Sequence, residues 1–129
     1  MIPVGASHEE TQQVTSEIAI DFLGIAGARV LSTPNLILGL ERTARNLVFP
    51  LLDPGYDTVG THVDVYHLAA TPMGMNATFR AEVTSVEERR VNFKVEAFDE
   101  KQKIAEGTHQ RAIVNVARFA AKMQEKGIA

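Results

Sequence analysis

Alternating apolar and polar side chains mark the second half of the chain. Residues 77 to 85 place four apolar side chains on one face and four polar ones on the other, and residues 91 to 98 repeat the pattern. A period of two residues predicts strands with one buried face. The segment 61 to 69 alternates in the same way, and residues 104 to 116 predict a longer last strand in which Gly107 marks a bulge or a close backbone approach.

A longer period precedes these strands and predicts an amphipathic helix over residues 34 to 49. Thr33 followed by Pro34 suits an N-cap residue with proline at the first helical position. The apolar arc of this helix contains Leu36, Ile37, Leu40, Ala44, Leu47 and Val48. Glu41 falls at the margin of the arc, whereas Gly39 is predicted on the opposite, polar side.

Weaker patterns predict the two ends of the chain. The segment "HEETQQVTSEIAIDF", residues 8 to 22, contains apolar residues between 14 and 20 and indicates a short first strand preceded by a loose N-terminal tail. Residues 117 to 126 indicate a short last helix. The order of one strand, one long helix and four strands predicts an α+β structure in which an antiparallel sheet covers the helix. Unprotected edges of such a sheet favour a dimer joined edge to edge.

Length and composition are those of one soluble globular domain, residues 1 to 129, with 45% hydrophobic and 22% charged residues. The net charge of −3 gives no basic field for nucleic acid, and nothing resembles a signal peptide or a membrane span. The lack of cysteine excludes disulfides and a cysteine nucleophile. We therefore expect a cytoplasmic protein that binds neither nucleic acid nor membrane.

One ionisable side chain raises the question of function, because His67 lies on the otherwise apolar face of its predicted strand. Burying imidazole without a partner costs free energy, so either a structural acceptor or a reaction accounts for it. For a single histidine at such a position, a core residue whose ring is hydrogen-bonded to a structural acceptor is the commoner explanation. Glu41 likewise lies four residues before Arg45, where an ion pair along the helix is the ordinary explanation, and Arg111 could simply bridge a strand carboxylate.

Neither a metal nor a cofactor is predicted. The 4 histidines lack the spacing of metal ligands, and His62 and His67 point to opposite faces of a strand, which makes His62 a surface residue. The segment "GIAGARV" lacks the third glycine and the strand context of a nucleotide-binding loop.

Three segments, taken together and in order, indicate a family: "STPNLILGLE", "VGTHVDVYHLAATPMGM" and "EGTHQRAIVNV". The combination resembles the hot-dog thioesterases related to fluoroacetyl-coenzyme A thioesterase, and it covers most of the chain from Leu31 to Lys122. The resemblance implies a hot-dog fold, with an antiparallel sheet wrapped around a central long helix. It also implies acyl-CoA hydrolysis and a homodimer with its sheets joined, or a tetramer built from two such dimers.

The resemblance also implies site residues. The family's catalytic threonine, glutamate and histidine match Thr33, Glu41 and His67; Gly60 matches a glycine whose backbone lies against the acyl group, and Arg111 matches a supporting arginine. Glu41 could attack the thioester carbonyl or activate water, and His67 could relay a proton to the departing coenzyme A sulfur. Thr33 as direct nucleophile stays an open alternative.

The chain departs from the family pattern before the helix. Where the fluoroacetate enzyme has an aromatic-rich lid, this chain has only "DFLGIAGARV", residues 21 to 30. The small residues there predict a more open pocket and a small or medium acyl-CoA substrate. The alternative function is a non-catalytic protein that binds acyl-CoA or another small ligand, because one fold hosts several functions. A hot-dog dehydratase is a third hypothesis, but its usual Asp and His arrangement is not evident.

Overall fold

The computed structural model of the protein describes residues 1 to 127. Within these residues the chain forms five strands and two α-helices. In chain order they are β1 (Ser7–Gln13), α1 (Thr33–Val48), β2 (Tyr56–His67), β3 (Asn76–Glu87), β4 (Arg90–Phe98), β5 (Lys103–Asn115) and α2 (Val116–Lys126). The strands form one sheet in the order β1-β3-β4-β5-β2, and every neighbouring pair is antiparallel. Neither helix is both long and apolar enough to cross a membrane.

The helix α1 packs on one face of this sheet, which we call the inner face, and contacts β1, β2, β3 and β4. The predicted α+β arrangement is therefore confirmed. The buried positions of α1 are Leu36, Gly39, Leu40, Thr43, Ala44 and Val48. Gly39 had been predicted on the polar side, which is wrong: a Cβ there would lie 2.6 Å from Cζ of Phe79, so helix and sheet meet at this glycine. A missing side chain gives no hydrophobic signal in the sequence.

The helix begins one residue earlier than the capping pattern predicted. Ser32, with φ −74° and ψ 148°, is the N-cap residue, and its Oγ accepts a hydrogen bond from the backbone N–H of Asn35 at 3.3 Å. Thr33 is therefore the first helical residue rather than the cap. Because Ser32 supplies the capping oxygen, the hydroxyl of Thr33 is available for another contact.

The first strand lies at the polar start of the segment 8 to 22, in which a short strand was predicted. β1, with the sequence SHEETQQ, pairs with β3 from Ser7 opposite Glu82 to Gln13 opposite Asn76. The apolar residues that suggested the strand, between 14 and 20, instead form only an isolated bridge, from Ala19 to Leu31. β1 is an edge strand with one half-buried face, so it has no apolar alternation to detect.

The strand β2 forms the opposite edge of the sheet and pairs only with β5. The register shifts between Gly60 and His62, so Thr61 is the extra residue of a β-bulge. Gly107 of β5 marks a close approach, as predicted: a Cβ there would collide with the carbonyl oxygen of Asp64 and lie 2.8 Å from Cα of Val65.

Candidate active site

The first functional contact joins the start of α1 to the end of β2. Oγ1 of Thr33 lies 2.8 Å from Nδ1 of His67, which is hydrogen-bonding distance. The two residues are 34 positions apart in sequence, and the contact forms because Ser32 already caps the helix. A hydroxyl held against an imidazole nitrogen is the arrangement of a nucleophile beside its base.

The second nitrogen of His67 has no such partner. Nε2 is buried and forms no hydrogen bond with any group of residues 1 to 127. Burial lowers the pKa of His67 below its ordinary value, because the protein interior disfavours the charged ring. The backbone of Ala69 opposes this shift, and the lowered pKa leaves the ring neutral near pH 7 and able to accept a proton.

A second group of predicted residues meets at the middle of α1. Oε2 of Glu41 lies 3.4 Å from Nη1 of Arg111, and a Cβ on Gly60 would come within 2.8 Å of the same carboxylate oxygen. The glycine therefore makes room for the carboxylate. The ion pair between Glu41 and Arg45 does not form, because Arg45 instead binds Asp57 through two hydrogen bonds of 3.0 and 2.7 Å.

Arg111 is held by the backbone and side chain of one residue. Its Nε donates to Oγ1 of Thr58 at 2.7 Å, and its Nη2 donates to the carbonyl oxygen of Thr58 at 3.0 Å. Burial lowers the pKa of Arg111, while the nearby Glu41 and Asp57 carboxylates oppose that shift. These bonds aim the remaining edge of the guanidinium at Glu41 instead of at a strand carboxylate.

His109 belongs to this group, and the sequence reasoning missed it. Its side chain is only 2% exposed, its Nε2 lies 3.2 Å from Nη1 of Arg111, and its Nδ1 lies 2.7 Å from the carbonyl oxygen of His62. The ring stacks on Phe93 with centroids 5.8 Å apart. A signal was available, because His109 and Arg111 are two residues apart on one strand and so share a face. His109 had been considered only as a metal ligand.

Glu41 lies between two surface hollows. One, of 270 Å³, is lined by Glu41, Gly60, Thr61, His62, Val63 and His109. The other, of 430 Å³, is lined by Leu38, Glu41, Arg42, Arg45, Asn46 and Arg111. Both faces of the Glu41 carboxylate are therefore accessible, and the smaller hollow includes the glycine that we assigned to the acyl group.

The bulge at Thr61 decides which face Gly60 occupies. In a regular strand Gly60 and His67 would point to opposite faces, because they are separated by an odd number of residues. The extra residue reverses the alternation, so Gly60 lies opposite Arg111 and His67 opposite Ala105, both on the inner face. The sequence pattern had not predicted this irregularity.

The two groups lie apart within one chain. Thr33 and Glu41 are separated by about 12 Å along the helix, and Gly60 and His67 by roughly 20 Å along the strand. No hydrogen bond between Thr33 or His67 and Glu41, Gly60 or Arg111 is present in residues 1 to 127. One chain thus presents two separate groups of candidate residues, one near the middle of β2 at Gly60 and one at its end at His67.

Known proteins share this sequence and this fold. Residues 14 to 117 match the family described as fluoroacetyl-CoA-specific thioesterase, FlK. A fluoroacetyl-CoA thioesterase of Streptantibioticus cattleyicolor is 38% identical over 97 residues, which are 75% of this chain and 70% of that protein.

The solved structures agree with these sequence matches. A structure of the fluoroacetyl-CoA thioesterase FlK superposes with a TM-score of 0.89 at 31% identity and covers 98% of both chains. A hot-dog-like protein from Thermanaerovibrio acidaminovorans gives a TM-score of 0.88 at 23% identity over 97% of this chain and 93% of that one. The hot-dog fold that the sequence segments implied is confirmed.

Proposed function

This chain belongs to the family of fluoroacetyl-CoA-specific thioesterases and is a thioester hydrolase, and we propose that it hydrolyses small or medium acyl-CoA thioesters with Thr33, His67 and Glu41. The products are the free acid and coenzyme A. The observation that carries the site assignment is the 2.8 Å contact between Oγ1 of Thr33 and Nδ1 of His67, whose ring is kept neutral by burial.

The proposed reaction has two stages. Oγ1 of Thr33 attacks the thioester carbonyl while Nδ1 of His67 takes the hydroxyl proton. The C–S bond then breaks, and the departing coenzyme A thiolate takes that proton from the imidazolium. Water next attacks the acyl-threonine ester, His67 accepts the proton of the water and returns it to Oγ1, and the acid is released.

We further propose that the enzyme is a homodimer joined at β2. Residues 60 to 64 of this strand are exposed, although Val63 faces inward and is 38% exposed. The outer edge of β2 offers its backbone groups to another strand. A second copy whose β2 pairs there would cover Val63 and continue the sheet across the interface. Because both copies would use the same edge, the assembly would stop at two chains at this interface.

Such a dimer would bring the Thr33 and His67 group of one chain next to the Glu41 and Gly60 group of the other. If β2 pairs antiparallel with its copy about a twofold axis beside Val63 and Asp64, His67 lies opposite Gly60 of the partner subunit. The partner subunit's Glu41 then approaches the buried Nε2 of His67 and accepts its proton in a hydrogen bond. This arrangement would give the buried Nε2 of His67 a hydrogen-bond partner, and the carboxylate would stabilise the imidazolium that forms during attack.

The acyl-group preference tests the proposed function. We expect thiol release from acetyl-, butyryl- and benzoyl-CoA with kcat/KM values within about tenfold of one another, because the segment that replaces the aromatic-rich lid has its large side chains, Phe22, Leu23 and Ile25, exposed. A strong preference for fluoroacetyl-CoA would contradict the open pocket. Binding of these acyl-CoAs without thiol release would support the alternative, a non-catalytic binding protein.

The pH dependence tests the role of His67. Burial lowers the pKa of His67, whereas the partner subunit's Glu41 in the proposed dimer raises it. Activity requires the neutral ring, so we expect kcat/KM to be high above the pKa of His67 and to fall as pH drops through it. In Glu41→Gln the opposing charge is removed while burial remains, so the midpoint of this fall should move to lower pH. The His8→Gln variant, which changes a distant histidine, should keep the wild-type midpoint. A wild-type kcat/KM that does not fall on acidification would exclude His67 as the base.

A further inference from the structure

We propose that His109 is a positioning residue for the thioesterase reaction: its Nε2 accepts a hydrogen bond from Arg111 and so helps to fix the guanidinium beside Glu41. His109 and Glu41 both border the 270 Å³ hollow that contains Gly60, which we call the acyl hollow. The inference rests on the proposed function of that hollow. It concerns a side chain that the family resemblance had not assigned to the site.

The two neighbours of the His109 ring determine where its proton lies. Nδ1 is 2.7 Å from the carbonyl oxygen of His62, which can only accept, so Nδ1 carries the proton. Nε2 is 3.2 Å from Nη1 of Arg111, which can only donate, so Nε2 presents a lone pair. One neutral tautomer satisfies both contacts, and neither the other tautomer nor the charged ring does.

The surroundings of His109 favour this neutral form. The charged or titratable groups that face it are Glu41 from α1, His62 from β2 and Arg111 from β5, while β4 contributes the apolar ring of Phe93. Burial lowers the pKa of His109, and the charge of Arg111 lowers it further, whereas the carbonyl of His62 and the Glu41 carboxylate oppose the shift. A protonated ring would place two cationic groups in one buried site.

The consequence for Arg111 is a guanidinium held on three sides. Thr58 accepts from Nε and Nη2, and His109 accepts one hydrogen of Nη1. The other hydrogen of Nη1 is left for Glu41, whose Oε2 lies at 3.4 Å, the longest of these contacts. Because the contact with Glu41 is the longest, the bond that Nη1 donates to His109 adds to the two Thr58 bonds in fixing where Nη1 lies.

The ring also contributes to the wall of the hollow. Cε1 of His109 would lie 3.4 Å from a Cβ placed on Gly60, so its edge borders the same space as the Glu41 carboxylate. His109 therefore connects the packing against Phe93 with the position of the charged groups around the acyl hollow.

Two amide variants separate the polar contacts of His109. In His109→Gln the amide can reach the place of Nε2 and accept from Arg111, whereas in His109→Asn the shorter amide can reach only the place of Nδ1 and donate to His62. We expect the Asn variant to lose about 10- to 10²-fold in kcat, the size of effect that follows from misplacing a site group. The Gln variant should keep at least fivefold more kcat than the Asn variant, at a similar melting temperature. Equal kcat values in the two variants would overturn the proposal.

Two further measurements keep the test independent of how well these variants fold. In an Arg111→Lys background, His109→Asn should cause little additional loss of kcat, because the residues act through one another; additive losses would count against the proposal. In the wild-type protein, nitrogen NMR of labelled histidine should show His109 as the neutral Nδ1–H tautomer from pH 6 to 8. The Nε2–H tautomer or a protonated ring at pH 7 would refute the assignment, whereas absence of thioesterase activity in a protein with the expected tautomer would refute only the proposed function.

Discussion

Replacing His67 with Ala, or Glu41 with Gln, is expected to lower kcat by about 10²-fold or more, the range of positioned acid, base and charge-stabilising groups. His67 is expected to be essential because it takes the proton of Thr33, to which it is already bound. Glu41 is expected to be essential because its carboxylate supports the imidazolium. The measurement is thiol release under saturating acyl-CoA, together with thermal unfolding of the same preparations.

Two outcomes distinguish this role from a structural one. The double variant should lose little beyond the worse single variant, because groups that act in one step are not additive. If His67 is only a satisfied core residue, His67→Ala lowers the melting temperature and leaves the activity per folded molecule near that of the wild type.

Mixing the two single variants tests whether the site is shared. In a dimer of one Glu41→Gln chain and one His67→Ala chain, a shared site leaves one of the two sites intact. Random mixing should therefore restore about a quarter of the wild-type activity, since half of the dimers are mixed. A site contained within one chain would show no recovery, and each variant measured alone provides the baseline.

Gly107→Ala should cause a large loss of stability, on the order of 3 kcal/mol and a fall of roughly 10 °C in melting temperature. The added Cβ collides with the carbonyl oxygen of Asp64 and lies 2.8 Å from Cα of Val65. Both contacts are with the backbone, so no side chain can turn away and the pairing of β2 with β5 has to open. Differential scanning calorimetry measures the change directly.

A matched glycine provides the control for this variant. At Gly27 an added Cβ meets no atom within 4 Å and φ is not positive, so Gly27→Ala should change the free energy of unfolding by no more than about 0.5 kcal/mol. Gly107→Ala should also lower activity in the protein that remains folded, because β2 carries both Gly60 and His67. A melting temperature equal to that of the control would show that the two strands can separate at little cost.

The elements with strong periodicity were predictable from sequence. The alternation of residues 77 to 85 and 91 to 98 predicted β3 and β4, and the longer period predicted α1, because each segment has one face against a common core. β1 was not predictable in this way, since an edge strand with polar side chains satisfies its backbone hydrogen bonds without an apolar face.

The candidate site was likewise predictable only in part. The family resemblance selected Thr33 and His67, which the structure brings into contact, but it could not show that Ser32 rather than Thr33 caps the helix. The bulge at Thr61 was not visible either, because a single extra residue leaves no mark on a short alternating pattern. His109 lies two residues from Arg111 on the same strand, which the alternation could have indicated, but its contact with the carbonyl oxygen of His62 on β2 becomes evident only in the structure.

The polar sequence of β1 has a consequence for how copies of the chain aggregate. In a sheet with two unpaired edges, β1 of one copy could pair with β2 of the next, and repeated pairing of this kind would produce a filament. β1 presents Glu9 and Glu10, and β2 presents Asp64, so such mixed pairing brings carboxylates of like charge together. We expect this repulsion to stop growth at a closed assembly, which would limit aggregation of the chain at high concentration even if the β2 edge pairs as proposed.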